Sequence, residues 1–326
     1  MTTFGRMLVT VLVAVLLVGV TIIAGHYLRA PEPAVPGLPE PSAEREPAPR
    51  EPEAPPVVSE PAPTEHAPAE APPGPEAPSP TEPEPSGPGA ALADEGLALV
   101  AEGRKLDAQK VLSEALRTGV SGARGREARD ALNRLGEAIQ LSWRREPADP
   151  QAKVYVVEPG DTLIGIGQRF LIPYQLVMRL NRLTSDRINA GQNLKVLQGP
   201  IDVEVVKSAF EVRAWLGEVC VQVWPAGVGA NNSTPEGVFV VQKKIRNPPY
   251  QPQHRPPEDF RPAGHPENPL GTRWIDIGNH YGLHGTVEPE SIGRPVSEGC
   301  IRMHNRDVEQ LYDLVVSGAT KVTVRP

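Results

Sequence analysis

Two stretches of this chain carry residue types that could perform a reaction: His284-Gly285-Thr286 and, further on, Ser297-Glu298-Gly299-Cys300-Ile301-Arg302. A cysteine beside glycine, with a histidine upstream and an arginine two residues on, has the makings of a nucleophile with its proton partner. A free thiol, of pKa about 8.5, is mostly protonated at neutral pH, and a neighbouring imidazolium would lower that value and expose the thiolate. Gly299 lets the backbone come close, so that amide N–H groups around Cys300 can meet an oxyanion. Arg302, always charged, can hold a carboxylate or brace the loop. Two other readings compete. His280-x3-His284 with Cys300-x3-His304 has the look of four metal ligands, but that spacing needs a helix, and Asn279 to Gly285 holds two glycines and reads as strand and loop. A free cysteine can also be a small buried hydrophobe. That fits Cys220, which lies among valines, better than Cys300, which lies among Ser, Glu, Gly and Arg.

The elements that must position these residues occupy the last two-thirds of the chain. Of 39 prolines in 326 residues, 21 fall in residues 31–90, with 12 Glu, 2 Arg and no aromatic residue. Such a segment buries too little apolar surface to offset its conformational entropy, and reads as a disordered spacer. It carries −10 of the formal net charge of −7, so the remainder is near neutral and has no nucleic-acid footprint. Two cysteines make no disulfide framework. Ahead of the spacer, Met7 to Gly25 is an uncharged run of 19 residues between Arg6 and Arg29. It is long enough to span a bilayer and lacks a good small-x-small cleavage site, so residues 1–30 are expected to be a transmembrane signal-anchor. The rest of the chain would then lie on the extracytoplasmic side of a cytoplasmic membrane.

After the spacer the expected class is multidomain α+β. Residues 91–147 have helical spacing, with Ala108, Val111, Leu112 and Ala115 on one face and Ala128, Ala131, Leu132, Leu135 and Ile139 on another. Breaks at Gly103 and over Gly119–Gly125 suggest three short helices, of which the Gly103-to-Leu116 stretch is reminiscent of one tetratricopeptide unit; the region reads as a packing or spacing element, with a partner-docking module as the alternative. Residues 152–198 read strand–helix–helix–strand, with Asp161 or Thr162 as a helix cap. Residues 200–326 alternate as strands, with one amphipathic helix from Asn305 to Val315 and a last strand at Lys321-Val-Thr-Val324.

Two resemblances attach to these pieces. Tyr155-x-Val157, Gly160-Asp161-Thr162-Leu163, Asn181, Ile188 and Gly191-Gln-Asn-Leu194 resemble a LysM domain. That implies binding of an N-acetylglucosamine-containing glycan such as peptidoglycan, with Gly160, Asp161, Thr162 and Asn181 as its contacts. Thr234-Pro235-x-Gly237, Asn268-Pro-Leu-Gly-x-Arg-Trp274, Tyr281-Gly-x-His284-Gly285-Thr286, Ser291-Ile-Gly293 and Ser297-x-Gly-Cys-Ile-Arg-Met303 resemble, in order, the catalytic domain of the YkuD-like L,D-transpeptidases. The resemblance implies Cys300 as nucleophile, His284 as its proton partner, and Gly285, Ser297, Gly299 and Arg302 around them, with no cofactor and no metal. It implies a peptidoglycan tetrapeptide stem as acyl donor and an amine of another stem as acceptor, giving a 3→3 cross-link. Water as acceptor would make an L,D-carboxypeptidase, and a dead site would leave a peptidoglycan-binding protein. Glu298 stands where many members carry histidine, and its charge is expected to raise the pKa of Cys300 if it turns inward.

Overall fold

The computed structural model describes residues 87–251 and 257–326, so the anchor expected over 1–30 and the spacer up to residue 86 lie outside the described residues. Among the described residues no helix is long and apolar enough to cross a membrane. All of them belong to one compact unit, Pro75–Pro326.

Three helices come first: α1 (Gly89–Ala101), α2 (Lys105–Thr118) and α3 (Gly122–Gly136), the last running on into a π-helical turn, Glu137–Leu141. Gly103 and Gly119 separate them at φ of 77° and 92°, whereas Gly125 lies inside α3 instead of breaking it. A four-element module follows: β1 (Ala152–Val156), α4 (Leu163–Phe170), α5 (Tyr174–Leu180) and β2 (Asn193–Leu197), with β1 antiparallel to β2. Leu163, Ile166, Leu176, Leu180, Leu194 and Val196 fill its interior.

The remaining strands are β3 (Ile201–Val206), β4 (Glu211–Leu216), β5 (Val219–Pro225), β6 (Val228–Gly229), β7 (Gly237–Val240), β8 (Lys243–Arg246), β9 (Arg273–Gly278), β10 (Tyr281–His284), β11 (Pro295–Ser297) and β12 (Ile301–Arg302). Helix α6 (Asn305–Tyr312) and strand β13 (Lys321–Arg325) close the chain. A five-stranded sheet has the order β5-β4-β3-β13-β7, a four-stranded one β12-β10-β9-β8, and β11 pairs with β6. Apolar residues alternate along β3 and β13, and their buried side chains meet Val308 and Leu311 of α6 in one core.

That core does not stop at a domain boundary. Leu163, Ile166, Leu176 and Leu194 belong to the same buried cluster as Ile201, Val203 and Val322. The helices pack as closely on the other flank, where their apolar faces cluster with Trp215, Cys220 and Val223 of the sheet. They are a packing element of that sheet. Strand β5 is a sheet edge, and unpaired edge groups invite pairing with another chain. Here helix side chains take the place of a neighbouring strand. Cys220 N–H donates to Ser113 Oγ at 2.9 Å, and Gln109 Nε2 donates to the Cys220 carbonyl at 3.2 Å. Val223 N–H donates to Asn133 Oδ1 at 2.7 Å, while Asn133 Nδ2 donates to the Val223 carbonyl at 2.9 Å. Gly136 is required at the crossing, since a Cβ there would run into the Val221 carbonyl.

Lys195 joins the LysM-like module to the helices. Its side chain leaves β2 and donates to the carbonyls of Ile139, Ser142 and Arg144 at 2.8, 2.9 and 2.7 Å, at the C-terminal end of the π turn. Burial lowers its pKa to about 8.

Asn133→Ala strips both partners from Val223, and each lost partner of a buried backbone group costs about 1–3 kcal/mol. The expected result is a fall in Tm of several degrees, at about 2–4 °C per kcal/mol for a body of this size. Lys110→Ala, on the exposed side of α2, is the control and should change Tm little. Thermal unfolding followed by circular dichroism checks both.

Candidate active site

Strands β10 and β12 are parallel neighbours, with Leu283 opposite Ile301 and His284 opposite Arg302. Alternation along a strand then puts His284, Arg302 and Cys300 on one face, while Leu283, Ile301 and Met303 turn into the core with no exposed surface. Cys300 stands one residue before β12, and its thiol lies within reach of the Gly282 backbone of the strand carrying His284. The thiol sulfur lies 3.7 Å from the His280 carbonyl.

His284 is only 5% exposed. Its Nδ1 lies 2.6 Å from the Gly285 carbonyl, which can only accept, so Nδ1 carries the proton and Nε2 is left as acceptor. Trp274 stacks on the imidazole, ring centroids 5.7 Å apart. Burial drives the imidazole pKa down to about 4, against a smaller upward pull from the Gly285 carbonyl. Burial also pushes the Cys300 thiol up, outweighing the pull of the Gly282 backbone and of Arg302. The sequence suggested a thiolate made by a neighbouring imidazolium. The structure reverses this: both groups are pressed toward their neutral forms, because the desolvation that disfavours one charge disfavours the other. Glu298 is exposed, and its upward push on Cys300 ranks behind burial, Gly282 and Arg302.

The supporting residues shape the turn that presents Cys300. Ser297 Oγ donates to the Cys300 carbonyl at 2.6 Å and accepts the Gly299 N–H at 3.2 Å. Gly299 has φ of 130°, and a Cβ there would meet the Tyr281 ring at 2.6 Å. Arg302 Nη1 donates to Glu288 Oε2 at 2.7 Å, so in this state it braces the loop. Gly285 leaves room for the Asn305 amide, which accepts the N–H groups of Thr272 and Thr286 at 3.1 and 3.2 Å and donates to the Thr286 carbonyl at 3.0 Å. Asn305 was legible only as the start of a helix. His280 lies in the β9–β10 turn and His304 caps α6, away from any paired-helix arrangement.

Lys207 was not legible at all. It is 8% exposed, and its ammonium group donates to Asn232 Oδ1, to Glu236 Oε1 at 2.6 Å and to the Thr234 carbonyl at 3.4 Å. Thr234 Oγ1 in turn accepts the Gly229 N–H at 2.7 Å. This clamp fixes the segment whose Ser233 carbonyl abuts Gly299.

In the LysM-like module, Thr162 is the helix cap, its Oγ1 accepting the Gly165 N–H at 3.1 Å. Asp161 accepts from the Tyr155 hydroxyl at 2.6 Å and the Glu158 N–H at 2.8 Å, which hold its carboxyl below the usual range. Gly160, at φ of 90°, has open space beside it. Asn181, expected as a glycan contact, has its side-chain amide engaged within the module. Its Nδ2 donates to the Val177 and Lys195 carbonyls, both at 2.8 Å, and its Oδ1 accepts the Lys195 N–H at 2.7 Å. The amide is spent tying α5 to β2.

A buried neutral histidine has a signature in stability. Its folded pKa of about 4 lies below the ordinary 6.5, so from pH 6.5 down to 4 the unfolded chain takes up a proton that the folded one refuses. Stability therefore falls with pH across that window, by about 2 kcal/mol between pH 7 and 5. Urea unfolding at the two pH values should show that His284→Gln has lost this increment; an equal loss in both proteins would place His284 in water.

The profile of the YkuD L,D-transpeptidase catalytic domain matches residues 200–324, and that of the LysM domain residues 155–197. The YkuD protein of Bacillus licheniformis, named as an L,D-transpeptidase, is 33% identical over 183 residues, which cover 53% of this chain and 99% of its own. YqjB of Bacillus subtilis, similarly named, is 38% identical over 135 residues, 39% of this chain and 73% of its own. Among solved structures, an L,D-transpeptidase from Mycobacterium smegmatis aligns at 18% identity and a TM-score of 0.33, over 42% of this chain and 64% of its own. The first of these matches runs through almost the whole of a relative at one-third identity, and on that ground the chain belongs to the YkuD family of L,D-transpeptidases, with a LysM domain ahead of its catalytic domain.

Proposed function

We propose that this L,D-transpeptidase acts on peptidoglycan, with Cys300 as the acylated nucleophile and His284 as the group that carries its proton. The observation that supports this best is the shared face of β10 and β12, with Nδ1 of His284 engaged by the Gly285 carbonyl and Nε2 left to accept. As the Cys300 sulfur attacks the carbonyl of the third residue of a tetrapeptide stem, its proton passes to Nε2. The C–N bond to terminal D-Ala then breaks, and the amine leaves with that proton, giving a thioester. An amine of a second stem attacks the thioester and gives its proton to Nε2, which returns it to the departing thiolate. The product is a 3→3 cross-link; water in place of the amine gives carboxypeptidase turnover. A neutral resting pair suits this scheme, because an imidazolium has no lone pair with which to take the thiol proton.

The LysM domain supplies binding to the glycan of the same polymer. The uncharged run from Met7 to Gly25 supports a membrane anchor, with the catalytic body on the extracytoplasmic side. Sixty residues of Pro-rich spacer would reach at most about 190 Å at 3.1 Å per residue. Cys220 is no rival to Cys300, since full burial pushes its thiol up to about 12.

Purified sacculi incubated with the enzyme, followed by muropeptide analysis, test the reading. Cys300→Ala should abolish new 3→3 linkages and any acyl adduct in intact-mass spectra, while Cys220→Ala keeps most of both. Loss of activity in Cys220→Ala instead would overturn the assignment. Lys207→Met should slow acylation by roughly ten- to a hundredfold, the order expected when reacting atoms shift by about 1 Å. Stopped-flow acylation by a soluble stem reads that effect, and Lys207→Arg should restore part of the rate.

A further inference from the structure

Two clefts open where the helices, the LysM domain and the catalytic sheet meet, and neither touches Cys300. One, of about 320 Å³, is walled by Glu137, by Arg179 of α5, by Trp224 of β5 and by Arg306 of α6. The other, of about 570 Å³, shares Asn133 and Glu137 with it and continues between Lys105, Arg134 and Arg144. The two clefts adjoin at Asn133 and Glu137, and the groove they line carries five cations and a single carboxylate, Glu137, which is held by Arg179 at 2.6 Å. Among the described residues Arg306 has the Asp307 carboxylate near enough to feel its charge, while Lys105, Arg134 and Arg144 form no salt bridge that would neutralise them. An excess of cations over carboxylates in one groove of a nearly neutral body forms a site for an anion. At the rim stands Trp143, 53% exposed, its ring 5.7 Å from the Arg144 guanidinium and 5.1 Å from that of Arg182.

We propose that this groove is a second binding site for the wall polymer, taking the carboxylates of its peptide stems while Trp143 offers an apolar face to a sugar ring. The inference rests on the peptidoglycan reading above. Two features select the polymer. Arg179 belongs to the LysM domain itself and Arg306 to the helix that follows β12, so the groove runs from the glycan-binding module to the catalytic domain. An arginine-lined groove also matches carboxylates in geometry as well as charge, because each guanidinium can hold both oxygens. The acidic spacer of the same chain matches the groove in charge but has no sugar for Trp143.

The test uses the full chain, sedimented with insoluble sacculi over a range of salt. Arg134→Glu/Arg144→Glu should weaken sedimentation about tenfold at low salt, with the gap closing as salt rises and screens the charges. Sacculi whose carboxyl groups have been amidated should bind the wild type as weakly as they bind that variant. Arg134→Lys/Arg144→Lys keeps the charge and should keep most of the binding, and unchanged thermal unfolding certifies the fold of each variant. Equal sedimentation of wild type and charge-reversed protein would overturn the proposal, as would a gap that persists on amidated sacculi. Stronger sedimentation of the charge-reversed protein would overturn it in favour of the chain's own acidic segment as occupant. Acylation of the wild type by a soluble stem is read separately: its absence would sink the peptidoglycan transpeptidase reading, whereas the sedimentation results bear on the groove.

Discussion

The parallel pairing of Leu283 with Ile301 and of His284 with Arg302 is the contact on which the site depends, because it brings a histidine and a cysteine from separate segments onto one face. A strand of two residues cannot secure its own position. It is held on its other side by Gly227, whose N–H donates to the Arg302 carbonyl at 2.8 Å and whose carbonyl accepts the Arg302 N–H at 2.9 Å. The Met303 N–H reaches back to the His284 carbonyl at 2.8 Å. Ser297 then fixes the turn before the strand, Asn305 the loop after His284, and Glu288 the Arg302 side chain. Each of these bonds adds little alone; together they leave Cys300 and His284 few relative positions.

The electrostatics of the site follow from the same enclosure. Trp274 covers the imidazole and the core closes behind it, so water cannot solvate an imidazolium. The cysteine beside it inherits the same poor solvation, relieved in part by the Gly282 backbone and by Arg302. Burial thus disfavours a charged form of either group.

Residue type and spacing made Cys300 and His284 stand out as candidates, because a cysteine flanked by glycine, glutamate and arginine does not resemble core. The LysM domain was equally legible from its period and its turn. What escaped the sequence was every contact made by a polar side chain at long range. Gln109, Ser113 and Asn133 sit in helices where polar residues ordinarily face water, yet they complete the edge of β5, about a hundred residues away. Lys195 alternates out of a strand as a solvated lysine would, and instead seals a helix end. Lys207 follows the same logic beneath the segment that abuts Gly299. The protonation of the site was misread for a related reason: spacing says which groups meet, but only packing says how much water they keep.

Those long-range contacts change what the LysM domain does for the catalytic domain. Only three residues separate the end of β2 at Leu197 from the start of β3 at Ile201, both ends are buried, and the Gly199 N–H donates to the Phe170 carbonyl at 2.9 Å. Lys195 and the Glu137–Arg179 pair hold the same domain to the helices, which are themselves fastened along β5. Two domains on a flexible linker share only a raised local concentration, and each still searches for orientation on its own. Two domains with a continuous core share orientation as well. A glycan strand held by the LysM domain would therefore meet the β10–β12 face at a fixed angle and distance, and part of the entropy of aligning a stem with Cys300 would be lost on binding the sugar instead of in the reaction itself.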